Sequence, residues 1–152
     1  MGEQPTKPTC RLIRPGDTPG DTYDGKHGVT YFTGIAAETV GSQGICMHLL
    51  TIPPGGRAKA HLHENHEAAV YILEGEGVTL YGDNLEHHIL TKAGDLFYIP
   101  AGVPHMPVNL TDKPISALIA RTDPNGQESI MLLPELEEVA DAAIARIAKQ
   151  MA

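Results

Sequence analysis

The chain has 152 residues, of which 41% are hydrophobic and 20% charged, as expected for one folded domain rather than a disordered chain. Its formal net charge of −8 disfavours binding to nucleic acids or to anionic membranes. Two cysteines, Cys10 and Cys46, are too few for a disulfide framework, and no apolar run reaches membrane-spanning length. We therefore expect a cytoplasmic protein whose partner is a small molecule or another protein.

The first part of the chain differs in composition from the rest. Residues 1–28 contain four prolines and several glycines, which predicts an irregular N-terminal arm. From residue 29 to residue 133, short apolar runs alternate with turns rich in glycine and proline. This spacing predicts an all-β domain, either a sandwich or a barrel. The predicted strands are Val29–Ile35, Ile45–Ile52, Ala68–Leu73, Val78–Tyr81, His88–Thr91, Leu96–Ile99, Ile115–Arg121 and Ile130–Leu133.

The end of the chain has a helical pattern. Over residues 134–150, apolar side chains recur at every third or fourth position, which predicts one amphipathic helix. Pro134 suits the first turn, acidic residues come directly after it, and Arg146 and Lys149 stand near the other end, as the helix dipole favours. The apolar stripe is expected to pack on the outside of the barrel rather than to serve as a docking surface for another chain.

Histidines are concentrated at one point. Three histidines and two glutamates fall within residues 61–67, and His61 and His63 are separated by one residue. On an extended segment these two imidazoles point to the same face, where they can bind a divalent ion, and Glu67 can add a carboxylate oxygen. His105 comes after a later predicted strand and a Pro/Gly turn, and is expected to complete the ligand set across the barrel.

These residues carry a resemblance to the cupin superfamily. Its first motif, G-x5-H-x-H-x3,4-E-x6-G, is matched by Gly55, His61, His63 and Glu67, and its second motif, G-x5-P-x-G-x2-H-x3-N, is matched throughout by Gly94, Pro100, Gly102, His105 and Asn109. The resemblance implies a double-stranded β-helix, or jelly-roll barrel, over residues 29–133. It also implies a metal near the barrel centre, and a homodimer.

The first motif is matched imperfectly at its end. Seven residues rather than six separate Glu67 from Gly75, so counting back from Gly75 places Ala68 at the ligand position. A slip of one residue reverses the face that a strand residue presents. Three solutions remain open: a β-bulge that turns Glu67 inward, His66 as the fourth ligand, or three protein ligands with water completing the shell.

The predicted cofactor is one divalent transition metal per chain, with Fe, Mn, Zn, Ni and Co all compatible with imidazole and carboxylate ligands. The leading hypothesis is a metal-dependent dioxygenase that acts on a small oxygenated molecule. Its metal ligands would be His61, His63, Glu67 and His105, and Glu67 would also move protons. A metal-dependent isomerase or decarboxylase is the closest alternative. A non-catalytic cupin that binds a small molecule or sugar, and a barrel with a purely structural metal, are the others.

Overall fold

A computed structural model describes residues 7–15, 22–24, 29–125 and 129–152 of the protein. These residues form eleven β-strands, two helices and one 3₁₀ turn at Pro134–Leu136. The strands are β1 (Thr22–Asp24), β2 (Thr30–Ile35), β3 (Cys46–Ile52), β4 (His61–His63), β5 (Ala68–Glu74), β6 (Glu76–Tyr81), β7 (His87–Lys92), β8 (Leu96–Ile99), β9 (His105–Val108), β10 (Ile115–Arg121) and β11 (Ile130–Leu132). The helices are α1 (Ala37–Val40) and α2 (Glu137–Met151).

The strands form two antiparallel sheets. The first sheet has the order β1-β2-β3-β10-β5-β8, and the second has the order β11-β4-β9-β6-β7. Most neighbours within each sheet are distant in sequence, which is typical of a jelly roll. This arrangement and the C-terminal helix confirm the predicted fold class. Strand β1 lies inside the segment predicted to be irregular, where it pairs with β2.

The inner core lies between the two sheets. In β3, β5 and β10, buried residues alternate with more exposed ones, so one face of each strand points into the barrel. Aliphatic side chains fill most of this space. The buried members of the inner core are Val29, Tyr31, Leu50, Ile52, Ala58, Ala68, Val70, Ile72, Ile115, Ala117 and Ile119.

A second, outer core forms where α2 packs against the other face of the second sheet. Its buried members are Ala60, Val78, Leu80, Leu85, Met106, Val108, Leu133, Leu136, Ala140, Ala143 and Ile147. Charged side chains hold the start of α2 against the barrel. Glu137 accepts hydrogen bonds from the Ala60 amide at 2.8 Å and from Arg57 at 2.8 Å. Arg57 also contacts Asp141 at 2.6 Å. The apolar stripe of the helix therefore packs on its own barrel, as predicted.

Two residues of the second motif make hydrogen bonds that connect loops and strand ends near the histidines. Gly102 adopts a left-handed φ of 77°, and its amide donates a hydrogen bond of 2.7 Å to the carbonyl of His63. The side-chain amide of Asn109, which is fully buried, donates to the carbonyls of Ile52, Pro53 and Lys113 at 2.7–3.2 Å. Gly102 and Asn109 thus join loops and strand ends, and neither contributes a side chain to the histidine cluster.

No helix in the part of the chain that the structure describes is long and apolar enough to cross a membrane.

Candidate metal centre

Three predicted ligands meet on the inner face of the second sheet. His61 and His63 point inward from β4 with Leu62 between them, and His105 of β9 is the direct cross-strand partner of His61. Because directly opposite residues share a face, the three imidazoles converge. One ring nitrogen from each lies within 4.8 Å of the other two, and all three residues are buried.

Backbone carbonyls orient two of these rings. Nδ1 of His61 lies 2.7 Å from the carbonyl of Lys59, and Nδ1 of His105 lies 2.9 Å from the carbonyl of Val103. A carbonyl oxygen only accepts, so Nδ1 carries the proton and donates in both bonds. The lone pair of each Nε2 is therefore left for a ligand, which is the arrangement that metal-binding histidines typically adopt.

The protonation state of His105 also suits metal binding. Burial lowers its pKa to about 4, and the positive charge of Arg121 acts in the same direction, while the hydrogen bond to Val103 partly opposes both. The imidazole is therefore neutral at pH 7. Three buried, convergent imidazoles are a ligand set that fits a divalent transition metal, because metal sites of proteins use the same ligands.

Glu67 is not brought to this group. Its side chain is exposed, and its Oε2 accepts a hydrogen bond of 3.4 Å from the Tyr98 hydroxyl on the outer face of the first sheet. The inward positions of β5 are Ala68, Val70 and Ile72. Glu67 comes one residue before Ala68 and therefore points away from the barrel interior.

The bulge considered from the sequence does exist, but it lies too late in β5 to turn Glu67 inward. Ser116 pairs with Glu74 and Ala117 pairs with Ile72, which leaves Leu73 as the extra residue. The strand is regular between Ala68 and Ile72. The structure therefore departs from the expectation that Glu67 binds the metal and moves protons.

His66 stands beside the cluster rather than in it. Its ring is buried and lies 4.5 Å from the ring of His63, and its Nδ1 contacts the Ser129 hydroxyl at 2.9 Å and a carboxylate oxygen of Asp123 at 3.5 Å. Burial and the charge of Arg121 lower the pKa of His66, and Asp123 opposes them. His66 is not among the residues whose nitrogens converge with those of the triad. Of the three solutions, this geometry is nearest to a site with three protein ligands.

A cavity of about 60 Å³ opens beside the triad. It is lined mainly by aliphatic residues of the inner core, with Arg121, Thr79 and Thr91 among its polar residues. This space is small, and it admits a few water molecules or a small ligand.

Arg121 is a candidate functional residue that the sequence analysis did not single out. It is buried and lies over the ring of Tyr31, with 5.7 Å from the guanidinium carbon to the ring centroid and 3.4 Å from Nη2 to the Tyr31 hydroxyl. A signal for it is present: β10 is predicted as a strand whose residues 115, 117 and 119 are apolar, and Arg121 continues the same inward phase. A buried arginine at an inward position is uncommon, and its place on the cavity wall makes Arg121 a candidate for contact with an anionic ligand.

The other histidines that the structure describes lie apart from the triad, and His27 lies outside the described residues. His87 and His88 are exposed, as predicted, and His87 lies 3.7 Å from Glu86. His48 is buried with its ring edge-on to Tyr31, at a centroid distance of 5.9 Å, and burial together with the charge of Arg121 lowers its pKa to about 4.

Comparisons with known proteins agree with this architecture. A family model described as a cupin domain matches residues 48–120. No curated protein matches the chain in sequence. Among solved structures, a variant of oxalate decarboxylase from Bacillus subtilis is similar, with a TM-score of 0.62 and 21% identity over 74% of this chain and 29% of that one.

Two further structures have the same likeness. Oxalate decarboxylase from Lactobacillus farciminis, in a formate complex, has a TM-score of 0.62 and 23% identity over 74% of this chain and 33% of that one. Another structure of the Bacillus subtilis enzyme, from a study of its Mn(II) centres, has a TM-score of 0.63 and 20% identity over 74% of this chain and 30% of that one. The chain spans a third or less of the length of these enzymes, and the similarity is one of fold.

Proposed function

We propose that the protein is a metal-dependent enzyme acting on a small organic acid, because a cupin-domain model matches residues 48–120 and the barrel brings three histidines and an arginine to one cavity. His61, His63 and His105 would hold the metal. The substrate would be a carboxylate with a second oxygen close to the first. Dioxygenation is the reaction that the surroundings of the site favour.

The observation that carries this proposal is that Arg121 lines the same cavity as the three histidines. A guanidinium is charged at all relevant pH values and binds carboxylates through two parallel hydrogen bonds. Its contact with Tyr31 holds it on the barrel wall. A carboxylate bound to Arg121 would lie in the same cavity as the histidines, and the small cavity would favour a small substrate.

The bound metal would act as a Lewis acid and, if redox-active, would support chemistry with O₂. The chain's own contribution is to hold and orient the substrate and to keep water out. The aliphatic lining formed by residues such as Val70, Ile72 and Ile119 serves this last purpose.

The described lining of the cavity contains no carboxylate side chain that would act as a general acid or base. Isomerisation and decarboxylation both need a proton delivered or removed at carbon, which a carboxylate commonly does. Insertion of O₂ does not require a carboxylate side chain to transfer a proton at carbon, and this favours a dioxygenase. A decarboxylase is the second candidate, because Arg121 fits an acid substrate and the oxalate decarboxylases share the fold.

The test begins with metal content, measured by elemental mass spectrometry on protein purified anaerobically without affinity nickel. Oxygen uptake and CO₂ release are then monitored with two- to four-carbon acids, including oxalate, 2-oxo acids and 2-hydroxy acids. O₂ consumed in step with substrate supports the dioxygenase. CO₂ released without O₂ consumption supports the decarboxylase, and thermal stabilisation without turnover would indicate a binding protein.

Arg121→Gln tests the substrate class. Loss of one charge-assisted interaction should raise KM for the acid about 10- to 100-fold. Arg146→Gln, at an exposed position of α2, is the matched control and should leave KM unchanged. Equal KM values for the two variants would remove the carboxylate from the proposal.

A further inference from the structure

A second pocket, of about 210 Å³, lies between β2, β3, α1 and the loop that follows β10. We call it the His48 pocket. Its described lining residues are Thr33, Ala36, Glu38, His48, Pro124 and Asn125. None of these six lines the cavity beside the histidine triad. Tyr31, which does line that cavity, packs edge-on against His48 with the ring centroids 5.9 Å apart, so the two spaces are neighbours.

Two buried polar side chains line the His48 pocket. His48 is 2% exposed and Thr33 is 7% exposed, and the two residues are direct cross-strand partners on β3 and β2. Among the residues that the structure describes, neither ring nitrogen of His48 has a hydrogen-bond partner, and the hydroxyl oxygen of Thr33 has none either. A buried polar atom without a partner costs free energy, so such atoms normally bind a polar group. Two of these side chains next to each other in one pocket indicate a site for a polar ligand.

Hydrogen bonds hold the walls of the His48 pocket in place. The amide of Ala37 donates to the carbonyl of Pro124 at 2.8 Å, which joins α1 to the loop after β10. The hydroxyl of Thr39 donates to the carbonyl of Gly34 at 2.9 Å and accepts from the amide of Ala36 at 2.9 Å. The two sides of the pocket are therefore tied to each other, and a ligand would enter a largely preformed site.

The charges around the His48 pocket favour an uncharged ligand. Glu38 is the only charged side chain among the described lining residues, and it is exposed, so an anion is disfavoured and an ammonium ion gains little. Burial, together with the charge of Arg121, lowers the pKa of His48 to about 4, so this ring is neutral at pH 7. A neutral imidazole donates through one nitrogen and accepts through the other, and a threonine hydroxyl does both. An alcohol group, which also donates and accepts, is complementary to each of them.

We propose that the His48 pocket binds a small uncharged polyol through hydroxyl groups on neighbouring carbons. Cross-strand partners hold their Cβ atoms about 4.5–5.5 Å apart, so one hydroxyl of the ligand bonds His48 while the next bonds Thr33. Because no residue of the histidine triad lines this pocket, polyol binding does not depend on the metal or on the reaction proposed above.

The test is a titration of the isotope-labelled full chain with erythritol, up to about 50 mM, followed by two-dimensional NMR spectroscopy. The protein is prepared with Zn(II), which is diamagnetic and does not broaden the signals. Saturable shifts are expected at the amides of Thr33, His48 and Asn125, with a dissociation constant of about 1 mM, a typical value for a ligand of this size. Thr33→Val keeps the shape of the side chain and removes its hydroxyl, so it should raise this constant about 5- to 10-fold. Urea denaturation should show that this variant is at least as stable as the wild type, because the hydroxyl has no partner in the described chain.

Thr91→Val is the matched control. Thr91 is 8% exposed and lines the metal-site cavity but not the His48 pocket, so this variant should bind erythritol as the wild type does. Ethylammonium chloride at the same concentrations should cause no saturable shift. Three results would each overturn the proposal: no saturable shift with erythritol, equal affinities of the wild type and Thr33→Val, or tighter binding of ethylammonium. An equal loss of affinity in Thr91→Val and Thr33→Val would also overturn it, because the polyol would then not be specific to the His48 pocket.

Discussion

The inner and outer cores of this protein differ in the polarity of their buried side chains. The outer core, between α2 and the second sheet, consists of alanine, valine, leucine, isoleucine and methionine side chains. The inner core is also largely aliphatic, but the space between the sheets contains three convergent histidines, a buried arginine and a cavity. Buried polar groups cost free energy unless they are satisfied, and the hydrogen bonds to the carbonyls of Lys59 and Val103 offset part of that cost for His61 and His105. The second sheet separates the two cores: in β9, His105 lines the cavity, whereas Met106 belongs to the outer core.

The largest effect should come from breaking the triad. His105→Ala is expected to abolish stoichiometric metal binding, because it removes one of three neutral imidazoles and leaves a gap in a buried ligand set. His61→Ala should do the same. Metal content after dialysis, measured by elemental mass spectrometry, gives the answer. His87→Ala, on the exposed surface, should retain the metal. Full metal content in both site variants would contradict the ligand assignment.

Breaking the outer core should affect stability without affecting the metal. Ile147 is 2% exposed on the buried side of α2, and Ile147→Ala should lower the free energy of unfolding by about 2–5 kcal/mol through lost burial and a residual cavity. Urea denaturation of the metal-free protein measures this. Val139→Ala, at a position of the same helix that is 42% exposed, should cost much less. Loss of metal by the folded Ile147 variant would show that the two cores are not independent.

The different polarity of the two cores also predicts a pH dependence that arises in the inner one. The pKa of His48 is about 4 in the folded protein, against an ordinary value of 6.5, so the unfolded chain binds the proton more readily. The stability that this histidine supports is fully present above pH 6.5 and is lost as the pH falls through 4. At pH 4.5 the loss is about 2–3 kcal/mol relative to pH 7.

His48→Gln removes this titration while keeping a polar side chain. Urea denaturation of the metal-free wild type and variant at pH 7 and pH 4.5 should show a smaller loss of stability in the variant, by about 2–3 kcal/mol. His105 and His66 titrate in the same direction, and they contribute equally to both proteins. An identical pH dependence in wild type and variant would mean that His48 is already protonated or accessible to water in the folded state.

The sequence predicts the framework of the site better than its details. Strands β8 and β10 begin and end where the apolar runs do, since an alternating pattern bounded by turns leaves little freedom. His61 and His63 share a face because they are two residues apart. Strand β9 is absent from the predicted strands: its residues His105–Val108 contain a proline and no clear alternation, and they are fixed by pairing with β4 and β6.

The structure differs from the leading sequence-based expectation in which residues of β5 face into the barrel. Whether Glu67 or Ala68 faces inward depends on where β5 takes up its extra residue, and pairing with β10 places that residue at Leu73. A motif count gives only the total number of residues between Glu67 and Gly75, and it cannot locate the bulge within them. Arg121 was missed for a different reason. The alternation along β10 does indicate that residue 121 points inward, but a charged residue is not expected at an inward position.

The smallest effect is expected from a substitution at Glu67. This residue lies on the surface just outside the inner core, so its replacement should leave the metal site intact. Glu67 is exposed and its carboxylate is bound to the Tyr98 hydroxyl, so Glu67→Ala removes only a long, solvent-accessible hydrogen bond. We expect metal affinity to change by less than about twofold and stability by less than about 0.5 kcal/mol. Competition with a chelator of known affinity measures the first. A large loss of metal affinity would require β5 to shift by one residue when metal binds, since no other motion turns Glu67 into the barrel while Ala68 leaves it.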